Sequence, residues 1–370
     1  MRIAVNLTAQ AAVAELVTRD GQGAPLYVVI VKQSYGFAAP GPLAPMAAAP
    51  IAPLDQYAGD PGASSLLVAG EVGPPKPRVD VILTGTIRFP SPTTDAVVAL
   101  EVGNRLSKRL RIVGDRVWLP RASSDLGPSR PRPITEIPIA WERAAGGADP
   151  AGDPQLTDRR NPAGCAVGRT ARDFEGKPLP SFEDPGQPTT SWRSPLPPRG
   201  FGAVAPHWEP RARLAGTYDQ RWQEQRAPLL PEDFDPRFLN AAPDDQQLPD
   251  YQPGEEVRLL GLTRAGPGRF ALPELSVPIM FVTRDLIDER RARVDTIVVE
   301  LDQARVSLIA RAVCAPGRSV AALRQIFVGP LTPGRRRALE LGKPYLDLRP
   351  RPAAPDAAKP PPPARARSKG

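Results

Sequence analysis

Residues 294–313, VDTIVVELDQARVSLIARAV, contain two runs of β-branched and aliphatic residues on either side of a short polar segment. Runs of about eight such residues favour β-strands, because branched side chains pack well on a pleated surface. The polar segment Asp302–Arg305 is short enough to be the turn of a hairpin. We therefore predict strands at 294–301 and 306–313, paired as a β-hairpin, within a fold that is mainly β.

Further strands are predicted on the N-terminal side and beside this hairpin. Pro25–Phe37 has the continuous apolar centre of a buried strand, and Asp80–Phe89 has the composition of another. Alternating residues around Gly103-Asn104 predict a second hairpin over Ala96–Gly114. Shorter strands are predicted at 256–262, 270–272 and 277–282. We expect the N-terminal and C-terminal strands to form a two-sheet sandwich or an open barrel together, although two separate sheets would also fit.

The middle of the chain, residues 114–254, has almost no periodicity and is rich in proline, glycine, arginine and aspartate. All five tryptophans lie in this region, namely Trp118, Trp141, Trp192, Trp208 and Trp222. Disordered segments are normally poor in aromatic residues, and a structureless loop of this length is improbable in a compact domain. We therefore predict a long, irregular but ordered region that is pinned by its tryptophans and wraps around the strands.

The C-terminal part is predicted to differ from the β-rich body. One helical stretch is predicted from Ser319, and a second short helix from Thr332 to near Gly342. The apolar face of the first would contain Leu323, Ile326 and Phe327. From residue 350 the chain is mostly proline, alanine, lysine and arginine, which is typical of a solvated extension. The predicted organisation is a single β-rich domain over 1–315, a short helical extension over 316–349 and a disordered basic, proline-rich tail over 350–370.

The net charge of +8 is concentrated at the C-terminal end of the chain. Residues 333–370 contain ten Lys or Arg and three Asp or Glu, so they carry +7 and the rest of the chain carries +1. A nucleic-acid-binding domain normally spreads its basic residues over a folded face. We therefore expect that nucleic acid is not a partner, and we keep nucleic-acid binding through the basic tail as an alternative.

The two cysteines and the lack of a long apolar segment indicate the cellular compartment. Cys165 and Cys314 lie far apart without a CxxC spacing, which indicates reduced thiols rather than a disulfide scaffold or a zinc site. The N-terminus lacks the continuous apolar run of a signal peptide, and no segment approaches the roughly 20 apolar residues of a membrane span. We expect a soluble, cytoplasmic protein that does not bind a membrane.

The sequence contains few candidates for catalysis. His207 is the only histidine, and the chain has neither a GxSxG nucleophile motif nor a glycine-rich phosphate-binding loop. Carboxylates between Glu232 and Asp245 leave one alternative, a carbohydrate-active hydrolase that uses Asp233 or Asp235 with a second carboxylate. The same aspartates suit turns and helix caps equally well. We therefore predict no catalytic residue, no metal site and no cofactor.

Several strings in the middle region resemble the bacterial family called domain of unknown function 2169. In chain order these strings are GDRVW at 114–118, WERA at 141–144, NPAG at 161–164, LPSFEDP at 179–185, GFG at 200–202, AGTYDQRW at 215–222, LPEDFDPRF at 230–238, NAAP at 240–243 and DQ at 245–246. The strand at 25–37 and the hairpin at 294–313 also look like the family, so the resemblance extends in order over roughly residues 1–315.

The resemblance implies a partner-binding role rather than a reaction. Members of the family lie beside genes for type VI secretion spike and tip proteins, and they are understood as adaptors or chaperones that help to load a toxin effector onto the spike. No catalytic residues are assigned to the family, so none can be carried over to this chain. The partners that the resemblance implies are therefore spike and tip proteins and a cognate toxin effector.

The candidate residues, either for partner binding or for holding the region together, are polar and aromatic residues of these strings with the remaining tryptophans. They are Asp115, Arg116, Trp118, Trp141, Glu142, Arg143, Asn161, Trp192, Trp208, Tyr218, Asp219, Trp222, Asp233, Phe234, Asp235, Arg237, Phe238, Asn240, Asp245 and Gln246. Tryptophan, tyrosine and arginine dominate interface hot spots, but large rings are also common core residues. Both roles stay open at this point.

Overall fold

The computed structural model describes residues 4–37, 42–121, 125–149, 153–165, 167–194, 196–264, 268–283, 287–315 and 322–345. Within these residues the protein is mainly β, with several sheets and a few short helices, as predicted. The chain divides into two compact units, Met1–Pro330 and Leu331–Gly370. The tail predicted to be disordered, residues 350–370, lies outside the described residues.

The strands, in chain order, are β1 (Ala4–Asn6), β2 (Ala12–Arg19), β3 (Pro25–Gly36), β4 (Ala44–Met46), β5 (Gln56–Tyr57), β6 (Leu66–Val68), β7 (Val79–Thr84), β8 (Thr86–Thr93), β9 (Asp95–Val102), β10 (Leu106–Val113), β11 (Trp118–Pro120), β12 (Leu126–Pro128), β13 (Ile134–Pro138), β14 (Phe182–Glu183), β15 (Gln247–Leu248), β16 (Glu256–Leu260), β17 (Gly268–Ala271), β18 (Pro278–Val282), β19 (Ile287–Arg291), β20 (Arg293–Glu300), β21 (Arg305–Cys314) and β22 (Gln325–Val328). The α-helices are α1 (Ala171–Phe174), α2 (Arg211–Leu214), α3 (Gln220–Gln225) and α4 (Pro333–Glu340). Short 3₁₀-helices cover Trp141–Arg143, Pro154–Leu156, Pro236–Leu239 and Asp244–Gln246.

The largest sheet joins strands from both ends of the first unit. Its order is β15-β7-β20-β21-β3-β2, with β4 paired to β3. The predicted hairpin at 294–313 is confirmed as β20 and β21, which pair antiparallel. β21 then pairs antiparallel with β3, and β20 pairs parallel with β7. The N-terminal and C-terminal strands therefore build one sheet together, and none of the described sheets closes into a barrel.

A five-stranded sheet, in the order β14-β10-β9-β16-β17, contains the second predicted hairpin. β9 and β10 pair antiparallel around Gly103, whose φ of +50° suits a glycine. The inner faces of this sheet and of the largest sheet share one hydrophobic cluster, to which Val31 and Leu308 contribute from one sheet and Leu100 and Val257 from the other. Each such buried side chain contributes about 1.5–3 kcal/mol.

The segment Asp80–Phe89, predicted as one strand, is two strands. β7 ends at Thr84, β8 begins at Thr86, and Gly85 between them has φ +102°. β7 belongs to the seven-stranded sheet, whereas β8 pairs with β13 in a separate two-stranded sheet. The prediction of one strand is wrong because glycine reaches left-handed conformations without a Cβ penalty, so the chain changes sheets where the apolar pattern continues.

The helical stretch predicted from Ser319 is also wrong where the structure describes it. Gln325–Val328 is strand β22, which pairs parallel with β1 and antiparallel with β18 in the four-stranded sheet β1-β22-β18-β19. Ile326, Phe327 and Val328 are all buried, whereas a helix lying on a surface would bury only one side. Pairing with strands distant in sequence therefore overrides the local helical pattern.

The second unit contains the predicted C-terminal helix. α4 begins at Pro333, directly after Thr332, whose Oγ1 accepts a hydrogen bond from the Arg335 backbone N–H at 3.2 Å. A threonine cap followed by proline at the first helical position is a common way to begin a helix. The guanidinium carbon of Arg335 lies 5.1 Å from the centre of the Tyr345 ring.

Candidate partner-binding site

Two of the predicted tryptophans form an edge-to-face pair in the main core. The ring centroids of Trp141 and Trp208 are 6.2 Å apart, with an angle of 84° between the planes. Trp141 Nε1 donates a hydrogen bond to the Ala203 carbonyl oxygen at 2.8 Å. Both rings are buried, and such a pair is worth about 0.5–1.5 kcal/mol beyond the burial of its area. These tryptophans act as core pins rather than as exposed partner-binding anchors.

A second, smaller cluster contains two more tryptophans. Trp118 is buried and meets Phe174 edge to face at 6.4 Å between ring centroids. Trp192 is half-buried, packs against Phe174 at 5.4 Å, and donates from Nε1 to Asp125 Oδ1 at 2.8 Å. The hydrogen bond from Trp192 is the largest of the causes that lower the pKa of Asp125. This cluster holds together the part of the irregular region that contains β11 and α1.

Three buried amide side chains tie the irregular region to itself and to strand β7. Asn161 Nδ2 donates to the carbonyl oxygens of Trp141 and Ala145, both at 2.9 Å. Gln246 Nε2 donates to the carbonyl oxygen of Val81 on β7 at 2.7 Å and to that of Phe201 at 2.9 Å. Asn240 Nδ2 donates to Asp80 Oδ1, also on β7, at 2.8 Å. Their sequence strings are therefore structural, because they satisfy buried carbonyl and carboxylate oxygens.

The charged candidates of the first strings also make internal contacts. Arg116 is buried, and its Nη2 donates to Glu183 Oε1 at 2.5 Å and to the Pro180 carbonyl oxygen at 2.8 Å. On the surface, Arg143 Nη1 donates to Asp115 Oδ1 at 2.7 Å. The Glu142 carboxylate accepts hydrogen bonds from the backbone N–H and the hydroxyl of Ser65. These side chains connect strings distant in sequence.

The two strings that most resemble the family, 215–222 and 230–238, meet at the surface, and we call residues 215–238 the motif lobe. Asp219 Oδ1 accepts from the Trp222 backbone N–H at 2.8 Å and caps helix α3. The Asp233 carboxylate accepts from the backbone N–H of Thr217 at 2.9 Å and from its hydroxyl at 2.7 Å. These aspartates thus close the turns of the lobe, as helix caps and turn residues do.

Asp235 and Asp233 are the carboxylates of the hydrolase alternative. Asp235 Oδ1 accepts from the Arg237 backbone N–H at 2.9 Å, and its carboxylate also pairs with the Arg237 guanidinium. Hydrogen bonds from Arg237 lower the pKa of Asp235, and hydrogen bonds from Thr217 lower the pKa of Asp233. A glycosidase needs one carboxyl group with a raised pKa that can donate a proton. Neither aspartate has that property, and both suit the capping role.

The motif lobe exposes apolar surface. Tyr218 is 54% exposed, and its ring lies 4.7 Å from that of the half-buried Trp222. Trp222 Nε1 donates to the Leu229 carbonyl oxygen at 2.8 Å, and the neighbouring Leu230 is 43% exposed. Phe234 and Phe238 are half-buried and contact each other at 5.8 Å between centroids. Five candidate residues of the sequence, Tyr218, Trp222, Phe234, Arg237 and Phe238, thus lie together on a lobe held by internal hydrogen bonds.

Beside the lobe lies a pocket of about 310 Å³, and several of its basic residues are not among the candidates predicted from the sequence. We call it the cationic pocket and define it by Lys108, Arg199 and Arg211. Arg160, Arg237, Asn240 and Asp245 also line it. The pocket is formed where α2 and the segments around residues 199 and 243 approach strand β10.

Lys108 is the cation of this pocket whose burial has a signal in the sequence. It lies on β10 in phase with the buried Leu106 and Leu110, and only 5% of its surface is exposed. Its Nζ donates to Asp245 Oδ1 at 2.7 Å and lies 5.8 Å from the centre of the Phe201 ring. Burial lowers the pKa of Lys108 to about 8, against the opposing effect of Asp245. The signal in the sequence is a lysine at a position where the alternation of the strand places buried apolar residues.

The single histidine and the two cysteines have ordinary surroundings. His207 lies 6.1 Å from both Tyr57 and Trp208 between ring centroids. Cys165 and Cys314 are free thiols, and burial raises the pKa of Cys165 to about 11.

In the part of the chain that the structure describes, no group of three His, Cys, Asp or Glu residues could hold a metal ion. Among the described helices, none combines the length and the apolar content needed to cross a membrane.

The fold and the candidate site define a multi-sheet β protein whose long irregular region contributes both buried core residues and an exposed lobe. Residues 22–311 match the family described as "Uncharacterized protein conserved in bacteria (DUF2169)", and the chain belongs to this family. The resemblance found from the sequence strings is thus confirmed at the level of the family. Searches among curated proteins and among solved structures found no match.

Proposed function

We propose that this protein is a non-enzymatic adaptor that binds other proteins through the motif lobe. The observation that carries the proposal is the exposed Tyr218 beside Trp222, on a lobe whose turns are closed by aspartates. Aromatic side chains on a rigid surface bind partners at a low cost in conformational entropy. Tyr218 and Leu230 neither cap a helix nor lie in a hydrophobic core, so neither role explains an apolar side chain at these exposed positions.

A narrower role rests on the family resemblance alone. In that role the protein acts in the bacterial cytoplasm as an adaptor or chaperone, and it helps to load a toxin effector onto a type VI secretion spike. Its partners are then the spike and tip proteins and the toxin. The buried strings of the irregular region keep the lobe in place and need not touch a partner, which agrees with an adaptor whose contacts are confined to one surface.

Co-purification tests the proposal. The tagged chain would be expressed together with the spike, tip and candidate toxin proteins encoded beside it, and the complex washed at high salt. We expect a stoichiometric complex with the unaltered chain, and its loss with Tyr218→Ala or Leu230→Ser. Leu54→Ser is the matched control, because Leu54 is 75% exposed and lies outside the lobe. Recovery of the unaltered protein alone, folded and monodisperse, would show that the proposed partners are wrong.

A further inference from the structure

Arg211, on the short helix α2, is a cation for which the described part of the chain supplies no paired anion. Its Nη1 donates to the Val204 carbonyl oxygen at 2.5 Å, and its Nε and Nη2 donate to the Phe238 carbonyl oxygen at 3.1 and 3.0 Å. No described carboxylate forms an ion pair with it, and Asp80 and Asp55 act on it only at longer range. Arg211 is half-buried, and charges that are partly withdrawn from water are normally paired, because losing water contacts is costly.

One guanidinium nitrogen of the same pocket has no acceptor. Arg199 Nη2 donates to Asp184 Oδ2 at 2.8 Å, but Arg199 Nε is buried and has no hydrogen-bond partner among the described residues. Asp245, which lines the pocket, is already bonded to Lys108 and lies 4.0 Å from Arg199 Nη1. Lys108, Arg199 and Arg211 thus share the cationic pocket with Asp245, which lies within 4.0 Å of the first two.

Two further carboxylates line the pocket, and each has a partner other than Arg199 and Arg211. Glu209 pairs with the exposed Arg213, four residues further along the chain. Asp244 Oδ1 accepts a hydrogen bond from Gln247 Nε2 at 3.4 Å. Neither forms an ion pair with Arg199 or Arg211 in the described structure, so Arg211 has no carboxylate partner there and Arg199 Nε has no acceptor.

Part of the wall of the cationic pocket is apolar. Trp141, Pro198, Pro210 and Leu214 line it, and the guanidinium carbon of Arg211 lies 5.3 Å above the Phe238 ring. A volume of about 310 Å³ accommodates a side chain or a chain end rather than a large cofactor. The combination of guanidinium donors with proline, leucine and aromatic walls fits an anionic group that is attached to an apolar body.

We propose that the cationic pocket binds a carboxylate of the partner protein that is flanked by apolar side chains. Guanidinium groups bind carboxylates through pairs of parallel hydrogen bonds, which gives both affinity and orientation. The pocket adjoins the motif lobe, because the Asp235 backbone N–H donates to the carbonyl oxygen of Leu214 at the end of α2. The inference rests on the proposed adaptor function, and it adds the chemical group that the adaptor recognises.

Small probes test the pocket independently of any partner. Binding of phenylpropionate, of its neutral analogue phenylpropionamide and of inorganic phosphate to the full chain would be measured by ligand-observed NMR at up to tens of millimolar. We expect phenylpropionate to bind at least about tenfold more tightly than the amide, as loss of a charge-assisted hydrogen bond predicts. Equal binding of the two, no binding of phenylpropionate, or binding of phosphate alone would overturn the proposal and leave the adaptor function standing.

Arginine variants locate the binding. Arg211→Gln and Arg199→Gln are each expected to weaken phenylpropionate binding about tenfold, and Arg199→Gln serves if the loss of the Arg211 hydrogen bonds prevents folding. The matched control is Arg269→Gln on β17, since Arg269 is exposed and pairs with Glu256, away from the pocket. In co-purification, the two pocket variants should lose the partner and the control should keep it. Variants that lose the probe but keep the partner would show that the pocket does not recognise the partner.

Discussion

Asn240 donates a hydrogen bond from Nδ2 to Asp80 Oδ1 at 2.8 Å, which joins two buried side chains that are 160 positions apart in the chain. The other Asp80 oxygen accepts from the Ala241 backbone N–H at 2.8 Å and from Lys76 Nζ at 2.7 Å. The carboxylate on β7 is thus satisfied largely by the irregular region. The C-terminal end of the irregular region is held against the largest sheet at this point.

Asn240→Ala is expected to lower the free energy of unfolding by about 1–3 kcal/mol, because it leaves part of a buried carboxylate without a donor. Urea denaturation would measure the loss. Gln252→Ala is the control, since this amide is exposed and donates a long hydrogen bond to Asp250, at 3.3 Å. A loss no larger than that of the control would show that the contact between Asn240 and Asp80 does not hold the region in place.

The tryptophan pair offers a comparison of two similar substitutions. Trp141→Phe removes the hydrogen bond to the Ala203 carbonyl oxygen, whereas Trp208 Nε1 has no partner among the described residues. Trp141→Phe should therefore cost about 1–3 kcal/mol more than Trp208→Phe, since only the former leaves a buried acceptor unsatisfied. Thermal or urea unfolding of both variants would measure the difference. Equal losses would mean that only ring volume matters at the two positions.

Gly85 is expected to tolerate no side chain. Its φ is +102°, and a Cβ would lie 3.0 Å from both the backbone nitrogen and Oδ2 of Asp302. We expect Gly85→Ala to destabilise the protein by more than about 1 kcal/mol, because both the backbone conformation and the space oppose it. Gly21→Ala is the control, since nothing lies within 4 Å of the position that a Cβ would occupy there. Unfolding free energies that match for the two variants would contradict this account of the break between β7 and β8.

Lys108 should make stability depend on pH above neutrality. Its pKa is lowered from 10.5 to about 8 by burial, so between these values the unfolded chain binds more protons than the folded chain. The free energy of unfolding therefore gains a contribution as pH rises from about 8 to 10.5, and loses it as pH falls through 8. Relative to Lys108→Met, the unaltered protein should gain stability over this range.

The difference between the two proteins is the quantity to measure, by chemical denaturation at several pH values. Cys165 titrates in the same range with the opposite effect, because burial raises its pKa to about 11 and the folded chain keeps that proton longer. Since both proteins contain Cys165, its contribution cancels in the difference. A difference that is constant from about pH 7.5 to about pH 10 would contradict the buried, perturbed state of Lys108.

Asp235→Asn separates the capping role from the hydrolase alternative. Asparagine caps helices as well as aspartate does, so we expect a folded protein with only a small change in stability. We also expect no turnover by the unaltered chain in a broad glycan screen, because the carboxylates of both Asp233 and Asp235 are engaged in hydrogen bonds that close the turns of the motif lobe. Activity that is present in the unaltered chain and lost in the variant at unchanged thermal stability would establish the hydrolase instead.

The tail alternative, nucleic-acid binding through residues 350–370, stays a prediction, since these residues lie outside the described part of the chain. It requires an affinity that falls steeply with salt and disappears when residues 350–370 are deleted. Absence of a gel shift at low salt would contradict it.

The sequence by itself determined the mainly β class, the hairpins β9–β10 and β20–β21, strand β3 and the family. The strands and hairpins depend on side chains within about ten residues of one another, where alternation and turn chemistry act directly, whereas the family follows from strings in a fixed order along the chain. The family strings of the irregular region could also be recognised in the sequence, because the aspartates, asparagines and tryptophans that cap helices and fill the core are distinctive residue types.

Only the tertiary structure decided the role of each string. The parallel pairing of β20 with β7, the strand at Gln325–Val328, the buried Lys108 and the environment of Arg211 all depend on groups brought from far along the chain. Burial and charge pairing are properties of the surroundings that a side chain acquires on folding, so a local pattern cannot contain them. For the same reason Trp208 became a core residue while Tyr218, another aromatic residue of the irregular region, stayed exposed.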